Sequence, residues 1–158
     1  MTSINVSLLD QRLTLQRETE QRVYNISSAL NGPGNQSGSE QTPLGRHIVR
    51  AKIGAGKPNN AVFVGRRFTN EIYSSELAQC YPSRDWILSR ILWLSGLEPG
   101  FNRMGEVDSM RRYIYIHGTP DSEPMGVPVS HGCIRMRNAD VIELFSLVSV
   151  GCVVNINK

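Results

Sequence analysis

No apolar run in this sequence is longer than a few residues, so nothing in it reads as a bilayer-spanning helix. Blocks of like charge are also missing. The 17 Lys and Arg are interspersed with 14 Asp and Glu, which gives no indication of a nucleic-acid interface. The resulting net charge of +3 still favours an anionic partner mildly. Cysteine is scarce. Cys80, Cys133 and Cys152 cannot all pair, and their spacing fits neither a zinc ribbon nor a CxxC redox motif, so at least one thiol is free. The opening MTSINVSLLDQRLTLQ alternates apolar and polar residues. It lacks the basic start and continuous apolar stretch of a secretory leader. No repeat or break in composition divides the chain, so residues 1–158 are expected to form one domain.

What is present is mostly strand signal. Ile4, Val6 and Leu8 alternate, Asp10 and Gln11 can turn the chain, and Leu13 and Leu15 alternate again, which predicts a hairpin. Further strands are expected over 22–27, 46–53, 61–68 and 111–118, with a last one in CVVNI near the end. The glycine- and proline-rich stretch 31–45 predicts a long loop. Trp86, Ile87, Ile91 and Leu94 recur at helical spacing between Ser83 and Gly96 and predict a first helix. Val141, Leu144, Phe145 and Val148 share one face of a second, which Asn138 would cap. The expected fold is therefore α+β, β-rich, with two helices.

The chemistry concentrates in VSHGCIRMRN, residues 129–138. A cysteine attacks carbonyls as its thiolate, and a nearby histidine can lower its pKa by supplying the ion-pair partner. Of the three histidines, His47 lies in a strand pattern and reads as a satisfied structural residue. His117 ends its strand at Gly118-Thr119-Pro120 and would stand at the edge of a cleft. Gly118 offers a carbonyl to orient its ring. Gly132 lets backbone approach a substrate closely, so the amides of Gly132 and Cys133 are candidate oxyanion donors. Three readings stay open on the residues alone: a nucleophile, a zinc site built from His117, His131 and Cys133, or a buried structural cysteine. For Cys80 and Cys152 the buried filler role is expected.

IHGT at 116–119, followed after a Gly/Pro-containing loop by SHGCIRM at 130–136, resembles the signature of the YkuD-type L,D-transpeptidases, bacterial enzymes that crosslink peptidoglycan. TPLGRH at 42–47 and the start of the helix after the cysteine are similar to further parts of the family pattern. The resemblance implies a β-sandwich catalytic domain. It implies Cys133 as nucleophile and His117 as its base, with the Gly118 carbonyl holding the imidazole. Ser130, His131 and Gly132 would shape the pocket and oxyanion site, and Arg135 would bind substrate or form a buried ion pair. The implied reaction makes a thioester with a donor stem tetrapeptide, releases D-alanine and passes the acyl group to an amine. An L,D-carboxypeptidase or an inactive peptidoglycan-binding domain are the alternatives. No metal or organic cofactor is implied. The partners would be peptidoglycan stem peptides, the expected state is a monomer, and the setting would be the periplasm or cell envelope. Acylation by carbapenems would follow.

Overall fold

A computed structural model describes residues 1–158, and its strands run round most of one closed hydrogen-bonded ring. The N-terminal hairpin forms as expected from β1 (Ser3–Ser7) and β2 (Arg12–Gln16), and β3 (Gln21–Ser27) continues the meander. Beyond the long loop come β4 (Gly45–Ile53), β5 (Ala61–Val64), β6 (Arg67–Ile72) and the short helix α1 (Ser75–Cys80). Then follow β7 (Ile87–Gly96), β8 (Tyr115–Thr119), β9 (Ile134–Arg137), α2 (Asn138–Leu147) and β10 (Val153–Asn157). The strand order is β4-β10-β1-β2-β3-β9-β8-β7-β5-β6, and β4 also pairs with β7. That extra pairing joins the two layers of the sandwich and leaves β5 and β6 as an appended hairpin.

The interior is built by alternation. Ile4, Val6, Leu13, Leu15 and Ile26 point inward from the meander. There they meet Leu92, Leu94, Ile116, Ile134 and the α2 face of Val141, Leu144 and Phe145. Burying each such side chain contributes roughly 1.5–3 kcal/mol, and α2 thereby fastens onto β7, β8 and β9, the strands that carry the site.

Four expectations are corrected here. Residues 87–96 form a strand, not a helix. Its register shifts between Leu88 and Ile91, where Ser89 takes a φ of 71°. This bulge inserts extra residues between Ile87 and Ile91 and so lets 87, 91 and 94 imitate a helical repeat. Moreover, Leu92 and Leu94 enter the main core while Ile91 enters a second cluster with Ala61, Phe63 and Tyr115, so the polar alternation of a half-exposed strand is missing. The first helix lies at 75–80 instead, capped by Ser74. The single strand expected over 61–68 is broken by Gly65 and Arg66, both with positive φ as a two-residue hairpin turn requires. Asn138 does not cap α2; Arg137 occupies that position and the Asn138 side chain is turned into the interior. Finally, Cys80 is exposed, whereas Cys152 is buried as expected, and no disulfide forms.

His47 on β4 is fully buried, with Nδ1 3.0 Å from the Gly45 carbonyl and Nε2 2.8 Å from Ser109 Oγ. Since the carbonyl only accepts, Nδ1 carries the proton and Nε2 accepts from the serine hydroxyl. Burial, partly opposed by the Gly45 contact, depresses this imidazole to about 4 from its ordinary 6.5. The unfolded chain therefore binds the extra proton first, and stability is complete above pH 6.5 and falls as pH drops from there to 4. The loss is roughly 3 kcal/mol. Buried His117 shifts in the same direction, so the check is a comparison of denaturant midpoints at pH 7 and pH 5 in the wild type and in His47→Gln. A shallower pH slope is expected in the variant, and an unchanged slope would remove His47 from the account.

Candidate active site

Strands β8 and β9 are parallel neighbours, with His117 opposite Arg135 and Gly118 opposite Met136. The connection between them, residues 120–133, has no helix and contains Pro120, Pro124 and Pro128. It is tied to the end of β3: Ser27 Oγ donates to the Val127 carbonyl (2.6 Å), and the Ser130 amide donates to the Ser28 carbonyl (2.9 Å). Parallel pairing thus sets like ends together, so that Cys133, just ahead of β9, lies level with the start of β8, two residues along the ladder from His117.

The turn that presents Cys133 is held from both sides. Gly132 has φ 134°, a conformation that disfavours any residue with a Cβ. Ser130 Oγ accepts from the Gly132 amide (3.2 Å) and donates to the Cys133 carbonyl (2.6 Å). Thr42, fully buried in the TPLG segment, donates to the Gly132 carbonyl at 3.0 Å and accepts from the Ala29 amide. Of the two expected oxyanion donors, the Gly132 N–H is therefore already engaged by Ser130. The Cys133 N–H has no partner within the protein and stays free.

His117 is 1% exposed, and its Nδ1 lies 2.6 Å from the Gly118 carbonyl. A carbonyl can only accept, so Nδ1 holds the proton and Nε2 keeps its lone pair. Gly118 itself must be glycine: a Cβ there would come within 2.5 Å of the Leu88 carbonyl oxygen and would collide with Asn138 Oδ1. Asn138 supports the same segment, donating to the Thr119 carbonyl (2.9 Å) and to Asn60 Oδ1 (3.0 Å) while accepting from Ser89 Oγ (2.7 Å). Sequence inspection assigned Asn138 to a helix end because Asn there is a common cap; its burial is a tertiary fact.

The Cys133 thiol donates to the Tyr113 carbonyl and accepts from the Tyr115 amide, each at 3.3 Å. It has no hydrogen bond to His117. The expected lowering of its pKa is not found: burial pushes it up to about 11, against the smaller opposing pull of the Tyr115 amide and of Arg135 and Arg112. Burial likewise lowers His117. Both groups are neutral at rest.

The remaining candidates separate. His131 is mostly exposed and stands between two clefts, with Nδ1 3.8 Å from Asp85 Oδ2. It is exposed where Cys133 is partly buried, though both line one cleft, and no three His, Cys, Asp or Glu side chains converge as metal ligands. Arg135 is buried and pairs with Asp85 at 3.1 Å, the ion pair that was one of its two expected roles, and it also lines a cleft. One cleft, of about 260 Å³, is bounded by Cys133, Gly132, Ile114, Arg112 and loop residues Ser37 and Glu40. The other, of about 310 Å³, is bounded by Asp85, Arg135 and, from the proline-rich connection, Pro120, Glu123 and Val129. The loop 31–45 and the segment 119–129 thus both contribute residues to the cleft rims. Asp85 and Arg112 carried no sequence signal.

Fold and site together define a closed β-rich scaffold that presents one thiol and one free backbone amide at a cleft, with a buried, tautomer-locked imidazole on the neighbouring strand. The chain belongs to the YkuD family of L,D-transpeptidase catalytic domains, whose pattern it matches over residues 2–156. The YkuD protein of Bacillus subtilis (strain 168) is 50% identical over 48 residues, which are 30% of this chain and 29% of that protein. An L,D-transpeptidase from Mycobacterium smegmatis has the same fold with a TM-score of 0.61 and 16% identity, covering 99% of this chain and 58% of that one. LdtMt1, an LD transpeptidase solved in complex with imipenem, gives 0.57 and 19% identity over 99% of this chain and 58% of its own. The chain thus spans under two thirds of these solved relatives.

Proposed function

We propose that this chain is a cysteine-dependent peptidoglycan L,D-transpeptidase acting in the cell envelope. The observation that carries the reading is the Nδ1 contact of His117 with the Gly118 carbonyl, which leaves Nε2 as a base on the strand next to Cys133, whose thiol lines a cleft. In this scheme a donor stem tetrapeptide places the carbonyl of its third residue at Cys133. His117 Nε2 takes the thiol proton as Sγ attacks, and the Cys133 amide donates to the oxygen that becomes negative. The C–N bond to the terminal D-alanine then breaks, and the imidazolium returns the proton to the leaving amine. An acceptor amine attacks the thioester, gives its proton to the same nitrogen and frees the thiol. Neither step calls for a metal. Because thiol and imidazole are both neutral at rest, the proton moves during attack rather than before it.

The test is intact-protein mass after incubation with a carbapenem, whose strained ring carbonyl mimics the donor. A gain of one drug molecule in the wild type and none in Cys133→Ala is expected. Equal gains in both proteins, or none in either, would overturn the assignment of Cys133 as nucleophile.

A further inference from the structure

Arg112 is half-buried in the wall of the Cys133 cleft, next in sequence to Tyr113, whose carbonyl accepts from the thiol. Its guanidinium hydrogen-bonds only to neutral groups: the Gln41 carbonyl (2.6 Å), the Gly34 carbonyl and Ser39 Oγ (both 3.3 Å). Among the ion pairs of the protein it has none, although Glu40 is exposed on the rim of the same cleft. The other arginine near the thiol, Arg135, has Asp85. A partly buried cation without a counter-charge is costly unless a ligand supplies one. Its three hydrogen bonds pin the guanidinium, so the fork is pre-positioned and not free to swing into solvent. The charge is close enough to Cys133 for each to shift the other's proton affinity.

Resting on the acyl-transfer reading above, we infer that Arg112 is the specificity residue that receives the free α-carboxylate of the donor's terminal amino acid, one residue beyond the attacked carbonyl. In a peptide that carboxylate lies a few bonds from the scissile C–N bond, on the leaving-group side. As Sγ–C forms and C–N breaks, the departing amino acid keeps its carboxylate on Arg112 while its nitrogen takes the proton from His117. A donor with a further residue, or with a capped terminus, has no charge at that place. The site thereby counts donor length.

The experiment compares acylation rates for two tetrapeptide donors that differ only at the terminus, free carboxylate against carboxamide, by intact mass in wild type, Arg112→Gln and Arg112→Lys. A charge-assisted contact of this kind implies a ten- to hundredfold preference for the acid in the wild type. In Arg112→Gln the acid donor should lose that factor more than the amide, bringing the ratio near one, and Arg112→Lys should keep part of it. Equal losses for both donors would mean that Arg112 only holds the 31–45 loop, and this inference would fall alone. Absence of acylation with either donor would sink the acyl-transfer reading and this inference with it.

Discussion

Replacing His117 by glutamine should lower the rate of Cys133 acylation at neutral pH by about a hundred- to ten-thousandfold, the usual worth of a positioned general base. The shape of the pH profile is the sharper test. Because burial holds His117 below its ordinary 6.5, the wild-type rate should climb on the acid side as the imidazole loses its proton and then stay level through neutral pH. The thiol does not ionise until about 11. Without the base, attack depends on the small thiolate fraction, so the variant's rate should rise about tenfold per pH unit towards that value. Simple alkylation of Cys133, which needs thiolate in both proteins, should rise with pH in the wild type too. A wild-type thiol that alkylates at one rate from pH 6 to pH 9 would show a preformed ion pair and contradict the neutral resting state.

Gly118→Ala should be the most damaging single change outside the thiol and imidazole. The added methyl would meet the Leu88 backbone oxygen on β7 and Asn138 from α2, and neither can yield cheaply. Leu88 is opposite Gly118 in the β7–β8 register, and Asn138 is buried and bonded to Ser89, Asn60 and Thr119. Overpacking of this kind typically costs 1–3 kcal/mol. Activity should fall further than stability, by about a hundredfold or more, because the same peptide unit carries the carbonyl that orients His117. Denaturant midpoint and acylation rate measured on one preparation separate the two effects. A folded Gly118→Ala protein acylating at the wild-type rate would show that the carbonyl's position is not critical.

The candidate catalytic residues were legible because they are local. IHGT and SHGC each announce a histidine or cysteine beside a glycine that the backbone needs, and the 3.6-residue period of α2 survives because one face of that helix meets the core. What could not be read depends on distant pairing. Strand β7 feeds three clusters, through Leu92 and Leu94, Ile91, and Leu88, and has a bulge at Ser89, so its apolar pattern matched a helix. Arg112 and Asp85 matter only because loop 31–45 and the segment before β7 fold back to the cleft. The raised thiol pKa is likewise invisible in sequence, where proximity to histidine suggests the opposite sign; burial against the Tyr113–Tyr115 backbone decides it.

The position of β10 has a consequence for how the site comes into being. That strand pairs in parallel with β1 on one side and antiparallel with β4 on the other, so residues 153–157 join two strands that lie far earlier in the sequence. A chain emerging from the ribosome can form the β1–β2–β3 meander early from local contacts. It cannot close the ring until residues 153–157 arrive, and until then both β1 and β4 present open edges to other chains. Contacts of such long sequence separation are the slow part of folding. The thiol is therefore synthesised before its scaffold can close, and assembly of the reactive centre waits on residues 153–157.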